Sequence, residues 1–316
     1  MKPSSEYLVR GVPAATDTAW GVCAVALRFA DADFVFRGLS PAQRDVVLER
    51  FASLVVKLPT DATTEGPLAR PGVDFAPAAA DAFTPTPPTC WEYDMALDFH
   101  ADEVDVAGPS FWARLTRQTS RVEARTCLED RFFLGVFENL FRIVSVYHLA
   151  KRDTLVIHSA GVAEGGRGYI LFGRSGAGKT TSCELLTARG TGHAILSDEL
   201  NAVDLRAIAP GALLQPMPFA GDFGHDTLSS VPVPLRRIYA LVQAPEARVG
   251  ACAPSEALAR VVAACPFVNA DPFESDSVFE RAERLLAAVS LRKLYFPKDP
   301  SFWSVVVADS ESHVAA

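Results

Sequence analysis

An α/β fold in two parts is what this chain of 316 residues predicts, and three observations carry the prediction. Residues 168–188 read as a strand, a glycine loop and a helix in succession. Beyond them, apolar strand patterns at 194–197 and 237–243 are followed by a helical pattern at 274–290, so strands and helices share one unit. The first third of the chain instead mixes short strands with one well-capped helix, the pattern of a separate α+β unit. The expected division is an accessory domain at 1–125 and a larger domain at 126–316.

The elements follow in order. Residues 21–29 and 33–37 alternate as strands, and Ser40-Pro41 gives a helix start with serine as N-cap and proline at the first helical position. Val46, Val47, Phe51, Leu54 and Val55 fall near helical spacing behind it. From 58 to 89 the composition turns to Pro, Ala and Thr, which predicts a long irregular connection. Residues 91–99 and 120–127 read as further strands. Residues 132–150 form an apolar helix pattern with Phe133, Val136, Phe137, Leu140, Phe141 and Val144, buried at a domain junction. A strand at 154–163, a tight turn at 164–167 and a return strand at 168–172 make a β-hairpin that leads into the glycine loop. The segment 302–308 reads as a last strand.

Bulk properties exclude several classes of function. A formal net charge of −8 argues against a nucleic-acid partner, because lysine and arginine contacts to phosphates supply most of that affinity. No run is long and apolar enough to span a bilayer. Met1 to Glu6 lacks the apolar core of a signal peptide, so a cytoplasmic protein without a membrane partner is expected. The six cysteines show no CxxC spacing and read as free thiols, Cys183 as a small buried residue.

Gly173, Arg174, Ser175, Gly176, Ala177, Gly178, Lys179 and Thr180 fit the phosphate-loop pattern G-x-x-x-x-G-K-[ST] in full, and Thr181 continues into the helix. Glycines allow successive N–H groups to curl around phosphate oxygens, and the positive helix end points at the same anion. Lys179 then reaches the β- and γ-phosphates of ATP, and Thr180 offers its hydroxyl to Mg²⁺. Ser197-Asp198-Glu199 closes the next apolar strand, where carboxylates serve the metal ion or take a proton from an attacking hydroxyl. His158 ends the strand before the hairpin. Asp222, in the glycine-flanked run 216–226 with His225 and Asp226, is a candidate metal or substrate contact. Arg236 and Arg237 are candidates for neutralising transition-state charge.

Taken together, Ile157-His158-Ser159-Ala160-Gly161-Val162, the turn Gly165-Gly166, the loop from Gly173 to Thr181, and Leu196-Ser197-Asp198-Glu199 resemble the HPr kinase/phosphorylase and PEP-carboxykinase-like group. The likeness is closest to the short bacterial HPr-kinase-related proteins of that group. It extends more weakly through 218–222, 238–241 and 299–303, and leaves the N-terminal part unexplained. It implies a phosphate-loop kinase core with a mixed sheet, the loop following a β-hairpin. It also implies a catalytic centre of His158, Lys179 and Asp198, a metal-binding hydroxyl on Thr180, and an acid from a later loop on Asp222. HPr kinases carry two consecutive aspartates where this chain has Asp198-Glu199, and their glutamate-arginine-glycine phosphorolysis signature is not found here. The apparatus of PEP carboxykinase proper is not found either.

The resulting expectation is an ATP- and Mg²⁺-dependent kinase acting on a hydroxyl, a serine of a protein or ribosomal peptide. The N-terminal unit would recruit the acceptor. A small-molecule kinase of the same fold and a non-catalytic ATP-binding regulatory module are the alternatives. Members of the group often form oligomers, which makes a homo-oligomer a further implication of the resemblance.

Overall fold

Two glycine-free turn residues open the first sheet: Ala30 and Asp31 take φ of 48° and 56°, joining strand β1 (Cys23–Phe29) to β2 (Ala32–Leu39) as a tight hairpin. The computed structural model describes residues 13–14, 21, 23–58, 70–83, 95–128, 132–190, 192–206, 211–219, 221–224 and 231–311. Over these residues the chain is mixed α/β, with two mixed sheets and six α-helices. It divides into two compact units, Met1–His148 and Leu149–Ala316.

In the first unit, helix α1 (Pro41–Arg50) starts as the Ser40-Pro41 pair predicts. The Ser40 hydroxyl accepts the Gln43 N–H at 3.2 Å, and Gln43 Oε1 accepts the Ser40 N–H at 2.8 Å. This reciprocal pair satisfies two otherwise orphaned donors and contributes about 1 kcal/mol. The short β3 (Val55–Val56) borders β1. Strand β4 (Gly72–Pro77) corrects the expectation of an irregular connection over 58–89. Pro71 and Pro77 bracket the strand instead of interrupting it, and Val73 and Phe75 bury their side chains. It lies parallel between β2 and β8 (Arg121–Thr126), and β5 (Ala96–Phe99), β6 (Glu103–Gly108) and β7 (Phe111–Thr116) complete an antiparallel meander. The expected strand start at 91–94 lies outside the described residues, as does Cys90. Helix α2 (Phe133–Ala150) follows its prediction closely and packs Phe133, Phe137 and Phe141 against Phe34, Phe36, Phe51 and Phe75, with Phe36–Phe137 centroids 4.4 Å apart. Through His148 the helix belongs to this first unit, so the units divide after most of the helix, whereas the expected boundary at 125/126 precedes it.

The second unit begins with a departure. Residues 154–163, expected as one strand, form β9 (Thr154–His158) and β10 (Ala160–Glu164), which take different partners. The opposing segment breaks at the same level into β12 (His193–Ser197) and β13 (Leu200–Asp204). β10 pairs β12, while β9 pairs β13. Between β10 and β11 (Arg167–Phe172), Gly165 and Gly166 at φ 56° and 74° make the predicted hairpin turn, and helix α3 (Lys179–Ala188) follows the loop. Strand β15 (Val233–Gln243) is the hub. Its first residues pair β14 (Leu213–Pro216), and its length then lies parallel to β11 on one side and to β17 (Leu291–Phe296) on the other. β16 (Arg248–Ala251) pairs β17.

Helices α4 (Pro254–Ala263), α5 (Ser275–Ala288) and α6 (Phe302–Glu311) complete the unit. Helix α6 overturns the strand expected at 302–308. Phe302, Trp303, Val306 and Ser310 are buried at helical spacing, and the first three join a core with Tyr169, Leu171, Cys183, Leu186 and Phe296. A short apolar run does not distinguish strand from helix; packing decides here. Arg236 and Arg237 are drawn to the end of this helix, where they donate to the Ser310 and Asp309 carbonyls at 2.5 and 3.5 Å. Among the described residues no helix is long and apolar enough to cross a membrane.

Candidate functional site

The glycine loop sits where the carboxyl ends of the parallel strands β11, β15 and β17 meet, the usual crevice for ligands of such sheets. Each of these strands shapes it. β11 delivers Gly173, where a side chain would collide with Ala177 at 2.6 Å. The Gln243 amide at the end of β15 donates to the Gly176 carbonyl at 2.8 Å. Phe296 at the end of β17 lies under Gly178, and a Cβ there would come 2.5 Å from its ring. Gly176 and Gly178 take φ of 76° and 110°, which L residues avoid. Within the loop the Ala177 N–H donates to the Arg174 carbonyl at 2.9 Å, and Ser182 closes the first helical turn onto the Gly178 carbonyl.

Lys179 is the first residue of α3, with Thr180 and Thr181 behind it, and no side chain caps the helix. No side-chain oxygen accepts its first-turn N–H groups, and donors of this kind at a helix N-terminus suit an anion. Arg174, Ser175 and Gly176 are exposed at the crest; Ala177 through Thr181 are half-buried. Phosphate oxygens fit this cradle by the chemistry of the donors.

The break in the β-ribbon faces the loop. His158 ends β9, and Asp198 and Glu199 form the turn between β12 and β13, in register with it: Leu200 pairs His158, and the Ser159 N–H donates to the Glu199 carbonyl at 3.0 Å. A buried polar network holds both breaks. The Asn201 amide donates to the Ser159 carbonyl at 2.8 Å and to its hydroxyl at 3.1 Å, with a longer contact of 3.4 Å to the Ser197 carbonyl. Ser197 Oγ donates to the Phe219 carbonyl at 2.9 Å and accepts the Glu199 and Leu200 N–H groups. Gly161 leaves room for Asn201, whose Oδ1 would stand 2.2 Å from a Cβ at that position.

Asp198 is buried, and both its oxygens are engaged: Oδ1 accepts the Gly221 N–H at 2.7 Å and Oδ2 the Phe223 N–H at 2.9 Å. Gly221 is required, since a Cβ would approach Asp198 Oδ2 to 2.8 Å. Asp222, between the two tethered residues, points out as an exposed side chain. His225 and Asp226 lie outside the described residues.

Electrostatics bring three of the predicted residues together. Desolvation, aided by the Lys179 charge and opposed by Asp198, pushes the His158 imidazole down to about 4. His158 keeps accessible surface, and with its pKa lowered the ring is neutral at pH 7. Burial also lowers Lys179, and Asp198 opposes that shift. His158, Lys179 and Asp198 thus lie within one another's fields. For a divalent cation, the Thr180 hydroxyl and the second lone pairs of Asp198 are suitable donors. Glu199 is half-buried beside Asp198, and among the described residues no three His, Cys, Asp or Glu side chains gather as a ready metal cluster. Cys183 is buried in the core beneath α3, and burial pushes its thiol up.

Sequence reasoning did not find Ser159, Asn201, Gln243 or Phe296. Their roles depend on pairing across strands far apart in the chain, which no local pattern records. No protein-family model matches this chain, and no curated protein matches it.

Proposed function

We propose that the chain is an ATP- and Mg²⁺-dependent kinase with a phosphate-loop core of the HPr-kinase/PEP-carboxykinase type. Its acceptor would be a hydroxyl, with a serine of a protein or peptide as the favoured class, in a cytoplasmic setting without nucleic-acid or membrane partners. One observation carries this reading: an uncapped helix N-terminus with Lys179 as its first residue stands in the same electrostatic neighbourhood as a neutral His158 and a buried Asp198. A module that only bound nucleotide would need the loop, but not a histidine and carboxylate held at its open end.

In this reading the loop N–H groups and Lys179 hold the phosphates and offset charge on the transferring group. Mg²⁺, when bound, would supply further charge neutralisation, held by Thr180 and Asp198 with Glu199 and Asp222 as further candidates. Asp198 orients the acceptor hydroxyl. As the hydroxyl oxygen bonds to the γ-phosphorus and the bond to the β–γ bridging oxygen breaks, the proton passes to a carboxylate oxygen of Asp198. Neutral His158 contributes a hydrogen bond to this group without adding a positive charge. Fixed alignment supplies most of the effect, and the Ser159–Ser197–Asn201 network provides the fixing.

The test is calorimetry of Mg-ATP binding to the wild type and to Lys179→Ala. Loss of one charge-assisted contact predicts about 10- to 100-fold weaker binding in the variant. Equal binding by both proteins would rule out the loop as the phosphate site. A labelled-ATP search among peptides and proteins then identifies the acceptor.

A further inference from the structure

The sheet end that carries the glycine loop extends to both sides of it, and only one side holds the ionisable groups described above. On the other side β15 continues past the level of β11. Phe172 pairs Ala240, while β15 extends to Gln243, whose partner is Phe296. Gln243 and Phe296 both touch the loop, so this rank of residues stands level with it. One step back along β17, Tyr295 pairs Val242 on one side and Arg248 on β16 on the other. Strand alternation turns Tyr295 and Arg248 to the sheet face opposite Phe296.

There the two side chains form a stack. The Arg248 guanidinium carbon lies 3.5 Å from the Tyr295 ring centroid. Gly250 underlies the ring: a Cβ would come 3.1 Å from Tyr295 Cε2, so glycine lets the ring lie close against the strand. Arg248 is exposed, which leaves the outer face of the guanidinium plane open.

Resting on the nucleotide reading above, we infer that Arg248 and Tyr295 form the platform on which the purine base of the nucleotide stacks. The loop fixes the phosphates. Asp198 follows β12 and His158 stands two residues before β10, both on the β10 and β12 side of the loop, so the γ end points there. The sugar and base must then leave toward β17 and β16. Tyr295 stands two strand spacings from β11, about 10 Å across the sheet. A planar guanidinium backed by an aromatic ring is a surface that a base covers well, because both partners are flat and the guanidinium is weakly hydrated.

Calorimetry with two probes tests the platform: the Mg²⁺ complexes of β,γ-imido-ATP and of tripolyphosphate, which has phosphates and no base. Arg248→Ala and Tyr295→Ala are each expected to weaken imido-ATP binding about tenfold, the scale of one lost stacking contact, and to leave tripolyphosphate binding unchanged. Tyr295→Phe keeps the ring and is expected to bind as the wild type. Unchanged imido-ATP affinity in both alanine variants overturns the platform, and so does an equal loss of both probes, which marks a general defect. If the wild type binds neither probe, the phosphate site fails and the base site falls with it. If the wild type binds the two equally, the phosphate site stands and the base site alone is refuted.

Discussion

The two flanks of the glycine loop are built on different principles. On the β10 and β12 side, the polar groups are buried and cross-tied: Asp198 is held by two N–H donors, and Asn201 joins both breaks in the β-ribbon. On the β17 and β16 side, Arg248 lies exposed over a half-buried Tyr295, and Gln243 and Phe296 reach the loop. Buried polar groups are costly unless satisfied, so a network of this kind persists only with one geometry. The exposed flank carries no such constraint. Under the proposed function, the tied flank would set atomic positions for chemistry while the exposed one admits and releases the ligand.

The most severe way to break the contrast is to damage the loop between the flanks. Gly178→Ala combines a φ of 110° with overlap onto Phe296, and is expected to cost about 2–5 kcal/mol. Gly166→Ala, at φ 74° but with open space around it, is expected to cost only about 1–2 kcal/mol. Urea denaturation of the two variants checks the difference; equal losses would mean that Phe296 does not buttress the loop.

The tied flank is next. Asp198→Asn would remove the proposed proton acceptor and set an NH2 group against one of the two N–H donors that now meet oxygen. Turnover is expected to fall about 10²–10⁴-fold with nucleotide affinity little changed. Hydrogen exchange at residues 221–224 is expected to speed up in the same variant. Normal turnover together with a loosened loop would make Asp198 an anchor for that loop and nothing more.

The smallest expected effect is acid sensitivity. The folded-state pKa of His158 lies below its ordinary value of 6.5, near 4, so the unfolded chain binds the proton more readily. The stabilisation is therefore fully present above pH 6.5 and is lost as pH falls toward 4. NMR titration of His158 reads the shift directly, and His158→Gln is expected to flatten that part of the stability profile. An ordinary His158 titration would show that the ring is solvated and outside the field of Lys179.

The parts legible in the sequence are those made by neighbours in the chain. Ser40 and Pro41 open the helix as N-cap and first helical residue, as expected, and the structure adds the reciprocal Gln43 partner. Gly165-Gly166 makes its hairpin because two successive left-handed residues suit glycine. The Gly173–Thr180 pattern places the strand–loop–helix junction, and Lys179 opens α3. Other readings failed where distant partners decided. The run at 302–308 became a helix because Phe302, Trp303 and Val306 face one core. The strand at 154–163 broke at Ser159 because its two halves pair with different strands.

By itself, then, the sequence determined the glycine loop, the Ser40-Pro41 helix start and the hairpin turn through local backbone preference, and offered His158, Lys179 and Asp198 as candidates through side-chain chemistry together with the family resemblance. Only the tertiary structure decided that Asp198 grips Gly221 and Phe223, that Gln243 and Phe296 brace the loop, and that Arg248 lies on Tyr295. Those contacts depend on strand register and close packing between remote segments, which local residue patterns do not encode.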